Sequence, residues 1–134
     1  MQLHCKLAIS PLTKYRPNEY RMKLSILMPV YNEQATLAEI IRRVLAIDLD
    51  KELILVDDCS TDGTREMLRE YEKHEHIQVV YHEENHGKGR AVRTALDHAS
   101  GEVSVVQDAD LEYDPAELPP LIEPIKRGEV DVVF

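Results

Sequence analysis

From Met22 onward the chain alternates short apolar runs with amphipathic stretches, joined by polar connections of a few residues. Few folds accommodate that order. Strand, helix, strand, helix builds βαβ units, and such units assemble into a mostly parallel sheet with helices on both faces, an α/β fold. The apolar runs predict strands over about 24–30, 52–57, 77–82 and 103–107.

The intervening stretches carry helical periodicity. A first helix over about 34–46 sets Leu37, Ile40, Ile41, Val44 and Leu45 on one buried stripe. A second, over about 62–73, follows the N-capping residues Ser60, Thr61 and Asp62 and turns Met67, Leu68 and Tyr71 inward. A third, over about 88–99, offers Ala91, Val92, Ala95, Leu96 and Ala99 to the core. A fourth is expected to begin at Asp114, with Pro115 in the first helical position and Glu117 completing a capping box. Pro119, Pro120 and Pro124 should leave it short or kinked. Glu129 to Phe134 reads as a fifth strand, and since a parallel strand leads onward into a further connection, residues 22–134 are expected to be a domain truncated after that strand. Residues 1–21 show no clear period and read equally as a flexible extension or as sequence upstream of a start at Met22.

Length and charge narrow the function. With 134 residues the chain can bury one core but is small for an enzyme with two substrates. A net charge of -9 excludes non-specific nucleic-acid binding, which needs a basic surface to neutralise phosphates. Binding of a single nucleotide stays open, because a divalent cation can supply the positive charge. Cys5 and Cys59 have neither metal-ligand spacing nor disulfide density, so free thiols and a cytoplasmic location are expected. No run of about 18 apolar residues is present, and the first 21 residues lack the apolar core of a secretory signal.

Ligands of open parallel sheets bind beyond the carboxyl ends of the strands. The first strand ends in Pro29, Val30, Tyr31, Asn32 and Glu33, the second in Val56, Asp57, Asp58, Cys59 and Ser60, and the fourth in Gln107, Asp108, Ala109 and Asp110. Five carboxylates thus converge on one edge. Any single one could cap a turn, but crowding them together calls for a cation or donors. Carboxylate oxygens suit Mg²⁺ or Mn²⁺, and Mg²⁺ is commonly held by one or two carboxylates plus substrate phosphates. Asn85, Gly87, Lys88, Gly89 and Arg90 form a glycine-bearing loop opening a helix, which reads either as an approach for an anion or as a flexible turn with a solvated lysine. His74, His76, His82 and His86 lack zinc-ligand spacing and read as a solvated helix end and loop.

Met28-Pro-Val-Tyr-Asn-Glu33, Val56-Asp-Asp-Cys-Ser-Thr-Asp-Gly-Thr64, Asn85-His-Gly-Lys-Gly-Arg90 and Gln107-Asp-Ala-Asp-Leu-Glu-Tyr-Asp-Pro115 resemble, in this order, the blocks of the family-2 glycosyltransferases, nearest to the polyprenyl (dolichyl) phosphate mannosyl- and glucosyltransferase branch. The resemblance covers residues 22–134 and implies a Rossmann-like GT-A nucleotide-binding domain. It implies a nucleoside pocket lined by Pro29, Tyr31 and Glu33, with Val56 and Asp58 at the base and Asp57 bracing the loop. It further implies that Asp108 faces the sugar and metal, that Asp110 is the principal metal ligand, and that Ala109 lies beside the donor. Glu112 stands where relatives often carry a different polar residue that helps the metal site.

The implied reaction is metal-assisted, inverting transfer of a sugar from GDP-mannose or a UDP-sugar to an acceptor, with a polyprenyl phosphate favoured. Such an acceptor is already anionic and needs no strong general base. Contact with a membrane face would come through that lipid. Two other readings stay open: a nucleotidyltransferase, which should show a glycine-rich, basic phosphate-binding segment near the first strand, where Pro29 to Glu33 is neither, and a non-catalytic nucleotide-sugar-binding domain on the same fold.

Overall fold

A computed structural model describes residues 7–9 and 22–133; of 7–9 only the backbone is considered. Among these residues the strands are β1 (Leu7–Ile9), β2 (Leu24–Val30), β3 (Lys51–Asp57), β4 (Ile77–Tyr81), β5 (Val103–Val106) and β6 (Val132–Val133). The helices are α1 (Leu37–Leu45), α2 (Thr64–Arg69), α3 (Lys88–Asp97) and α4 (Leu118–Lys126), the last preceded by a 3₁₀ turn at Pro115–Glu117.

The sheet order is β4-β3-β2-β5-β1-β6. β2 pairs parallel with both β3 and β5, and β3 parallel with β4. The chain therefore steps outward from β2 to β3 to β4, then crosses back to the other side of β2. This reversal puts a topological switch point between β2 and β5, the place where a crevice opens beyond the carboxyl ends of the strands. Right-handed crossovers winding in opposite directions must lie on opposite faces of a sheet. Accordingly, α1 lies on one face and α3 covers the other, while α4 packs beside α1.

Side-chain alternation sorts the core into two layers. Leu24, Ile26, Met28, Leu53 and Leu55 meet Leu37, Ile40, Ile41, Val44, Leu118, Ile122 and Ile125 on the α1/α4 face. Leu27, Ile54 and Val56 meet Ala91 and Ala95 on the α3 face. Full burial of an aliphatic side chain contributes about 1.5–3 kcal/mol, so the larger layer dominates stability. The small alanines let α3 lie close to the sheet.

The expected helices are present but shorter. α2 spans six residues; its N-cap is Gly63 rather than one of the expected Ser60, Thr61 or Asp62, and Asp62, one residue earlier, accepts from Thr64 N at 2.9 Å. At the fourth helix Asp114 Oδ1 accepts from Ala116 N at 3.0 Å, while the Glu117 amide donates to the Asp114 carbonyl, so the first turn tightens to 3₁₀ instead of closing the expected capping box. Leu96, expected in the core, is 45% exposed. It sits roughly a quarter turn from the centre of the stripe through Ala91, Ala95 and Ala99.

Leu7–Ile9 forms a strand that the sequence pattern does not announce, inserted antiparallel between β5 and β6. β6 thus runs in the direction of β5 but is separated from it. The remaining residues of the expected extension, and Cys5, lie outside the described residues.

Candidate functional site

A crevice of about 330 Å³ opens at the switch point, lined by Pro29, Val30, Tyr31, Glu33, Asp58, Asn85, Gly87, Lys88, Ala91, Asp108, Ala109 and Asp110. That size falls within the range of small-ligand sites. β2 delivers Pro29 and the loop to Glu33, with Tyr31 about half exposed at the mouth. The loop after β3 delivers Asp58, the start of α3 delivers Gly87 and Lys88, and the loop after β5 delivers Asp108 to Asp110.

Alternation along β3 separates its two terminal acids. Asp57 continues the Leu53–Leu55 face and is fully buried, where Arg65 Nε of α2 lies 3.4 Å from Oδ2 and Ser60 N donates at 3.3 Å. Asp58 continues the Ile54–Val56 face, 3% exposed, and turns into the crevice. Asp58 Oδ1 accepts from His86 N at 2.9 Å, and Oδ2 accepts from Gly87 N at 2.8 Å. Burial pushes the Asp58 carboxyl up, but the His86 amide, the His82 ring and the Gly87 amide outweigh it and hold it below the usual carboxylate value. Gly87 donates from a backbone with φ +90°, a conformation that favours glycine.

The loop carrying Asp108 and Asp110 is clamped on two sides. The Thr36 hydroxyl donates to Ala109 O at 2.7 Å and lies 3.1 Å from Glu33 Oε2, tying this loop to the end of β2. Buried Gln107 donates Nε2 to Tyr113 O at 3.0 Å and to Asp108 O at 3.3 Å. Between these clamps Leu111 takes φ +65°, an uncommon backbone for a leucine. Lys88 Nζ sits 2.7 Å from Asp108 Oδ1.

The fit to a divalent cation follows from these partners. Asp110 Oδ1 accepts from Glu112 N at 3.0 Å, and among the described residues Asp110 Oδ2 meets no donor. Among the described residues no group of three or more His, Cys, Asp or Glu side chains could hold a metal. Asp108 and Asp110 therefore suit a hard cation whose remaining oxygens come from a bound phosphate or water.

Most of the sequence-predicted site residues meet here: Pro29, Tyr31, Glu33, Asp58, Lys88, Asp108, Ala109 and Asp110. Two do not. Val56 is fully buried beneath α3, because it points into the sheet face one residue before the chain reaches the crevice. Glu112 is exposed outside the crevice and reaches Asp110 only through its backbone amide. Asn85 and Gly87 line the crevice beyond the residues singled out as ligands. His82, expected as a solvated loop residue, is instead mostly buried against Asp58. Its place at the carboxyl end of the strand expected over 77–82 is the signal the sequence carries.

A mostly parallel open sheet with an acidic crevice at its switch point defines the doubly wound α/β class, and the comparisons narrow it further. The sequence model described as "Glycosyl transferase family 2" matches residues 25–134, and the chain belongs to this family. It is 39% identical over 117 residues to the undecaprenyl-phosphate 4-deoxy-4-formamido-L-arabinose transferase of Enterobacter sp. (strain 638), covering 83% of this chain and 36% of that protein. It is 38% identical over 109 residues to the dolichol-phosphate mannosyltransferase of Pyrococcus furiosus, covering 80% of this chain and 31% of that protein. The chain thus spans about a third of the length of these relatives.

Among solved structures, the mannosyltransferase PcManGT from Pyrobaculum calidifontis in complex with GDP-Man and Mn²⁺ superposes with TM-score 0.63 at 36% identity, over 69% of this chain and 28% of that one. S. aureus TarS in complex with UDP-GlcNAc superposes with TM-score 0.69 at 29% identity, over 79% of this chain and 32% of that one. Both agree with the GT-A, Rossmann-like fold expected from the sequence. No helix of the described residues is long and apolar enough to cross a membrane.

Proposed function

We propose that this chain is the donor-binding part of a glycosyltransferase that moves a sugar from a nucleotide-sugar to a polyprenyl phosphate. The observation that carries this reading is the convergence of Asp58, Lys88, Asp108 and Asp110 on one crevice at the switch point of a family-2 fold. The kinship to polyprenyl-phosphate sugar transferases supports the acceptor class.

In this reading the nucleoside lies against Pro29 and Tyr31, with the Asp58 carboxylate accepting from the base. Lys88 leaves Asp108 for the diphosphate. Asp108 and Asp110 would hold a divalent cation, Mg²⁺ or Mn²⁺, which would supply positive charge against the leaving nucleoside diphosphate. Thr36 and Gln107 keep the two carboxylates in place, so little reorganisation accompanies binding. The acceptor phosphate attacks the anomeric carbon from the side opposite the diphosphate, which inverts that centre. A lipid acceptor would bring the protein to the cytoplasmic membrane face.

Calorimetric titration with GDP, UDP, GDP-mannose and UDP-glucose, with Mn²⁺ or with chelator, tests the proposal. The expected result is metal-dependent binding of one nucleotide class, lost in Asp110→Ala. Metal-independent binding that Asp110→Ala leaves intact would overturn the metal assignment, and an absence of binding to the folded chain would overturn the donor-site reading.

A further inference from the structure

His82 stands behind the crevice and does not line it. It follows the last residue of β4, its side chain is 11% exposed, and both ring nitrogens are engaged. Nδ1 lies 2.9 Å from Asp58 Oδ1, and Nε2 lies 2.9 Å from Thr94 Oγ1 on α3. Its backbone is fixed too: His82 N donates to Asp57 O at 2.8 Å, and its carbonyl accepts from Arg65 Nη2 at 3.0 Å. Such a ring has little freedom to turn.

The donors decide where the proton sits. The His86 and Gly87 amides can only donate, so Asp58 is the acceptor of the cluster, and the hydrogen between it and His82 is on Nδ1. Nε2 meets the Thr94 hydroxyl at the other end of the ring, so the ring is held from both sides. A carboxylate offers about four acceptor positions. Oδ1 receives two of its donors, His82 Nδ1 and His86 N, while Oδ2 receives only Gly87 N. The unfilled position is on Oδ2, and Asp58 is the member of this cluster that reaches the crevice together with Gly87.

We infer that His82 is a positioning residue for nucleobase selection: by occupying Oδ1 it holds the Asp58 carboxylate so that one acceptor, on Oδ2, faces the base. Bases with an N–H at the pairing edge, guanine at N1 and uracil at N3, satisfy that acceptor. Adenine at N1 and cytosine at N3 present a lone pair to an anion and are rejected. Thr94 acts through His82 by fixing its ring plane. The inference rests on the proposal that the nucleoside binds in this crevice.

The test is the ratio of affinities for GDP and UDP against ADP and CDP, measured by calorimetry with Mn²⁺ on the native chain and on His82→Ala, His82→Asn, Thr94→Val and Asp58→Asn, with thermal melts as the folding control. The native chain is expected to favour GDP or UDP by about tenfold or more, the worth of one hydrogen bond to a charged group. His82→Ala should lower that ratio about fivefold to tenfold. His82→Asn, whose amide nitrogen reaches the place of Nδ1, should restore it, and Thr94→Val should lower it by a smaller factor. A native ratio in both His82→Ala and Thr94→Val, alongside a lost ratio in Asp58→Asn, overturns the role of His82 and leaves the base pocket standing. No preference in the native chain, or a ratio that Asp58→Asn leaves intact, overturns the pocket assignment and the inference with it. If His82→Ala fails to fold, Thr94→Val decides: an unchanged ratio overturns the inference and a reduced one supports it.

Discussion

Adjacent aspartates at the end of β3 do different work because successive residues of a strand face opposite ways. Asp57 is a buried counter-ion for Arg65, and Asp58 is a crevice acceptor held by two amides and a histidine. Replacing Asp57 by Ala leaves Arg65 and the Ser60 amide short of a partner, so it should destabilise the fold by about 1–3 kcal/mol. Nucleotide affinity of the folded fraction should stay within about twofold, since no crevice contact is lost. Asp58→Asn should do the reverse, costing about tenfold or more in affinity through one charge-assisted hydrogen bond. Urea unfolding beside calorimetric titration on each variant separates the two effects, and equal affinity losses at both positions would contradict the division.

Where β2, β3 and β5 begin, at the end of the sheet away from the crevice, one carboxylate ties the elements together. Glu52 Oε1 accepts from Ser25 Oγ at 2.6 Å and from Ser100 N at 2.6 Å, and Lys23 Nζ lies 3.6 Å from Oε2. Burial pushes the Glu52 carboxyl up, but the Ser25 and Ser100 hydrogen bonds, helped by Lys23, hold it below its ordinary value of 4.5. A depressed folded-state value means stabilisation that is complete above pH 4.5 and is lost as pH falls through the folded value. Glu52→Gln should therefore flatten the acid-side fall of the urea midpoint below about pH 4.5, with the largest difference from the native chain near neutrality. Beside it, a Cβ on Gly101 would stand 2.6 Å from Ser25 Oγ, 2.7 Å from Lys23 O and 2.9 Å from Ser25 N. Two of those are backbone atoms of the strand entry and cannot swing aside. Gly101→Ala should accordingly cost about 1–3 kcal/mol by overpacking, read from the urea midpoint. Donor binding at the far end of the sheet should change little in the folded fraction.

At the scale of the molecule, a crevice built from the ends of β2, β3 and β5 couples ligand binding to the stability of the whole sheet. A nucleotide with Mn²⁺ at about 100 times its dissociation constant should stabilise the chain by about 2.7 kcal/mol. Its melting temperature should rise by several degrees, chelator should reverse the rise, and an unchanged melt at saturation would argue against binding in the crevice. Much of this architecture is legible in local pattern. The runs at β2 to β5, the stripe Leu37, Ile40, Ile41 and Val44, and the acids at three strand ends are properties of nearby residues, and each follows from a period of 2 or 3.6. The ordered motif blocks likewise carry the family without reference to coordinates. Other features depend on partners far along the chain. Val56 is sealed under α3 while Asp58 enters the crevice, Leu96 rotates off the sheet, and Glu112 stays outside. Leu7–Ile9 joins β5 across about a hundred intervening residues. His82 reaches Asp58 only because β4 docks beside β3. Periodicity determines which elements form and which residues can face a core; which face meets which helix, and which acid keeps a free lone pair, is settled when long-range pairing fixes the sheet order and each buried polar group must find its donor.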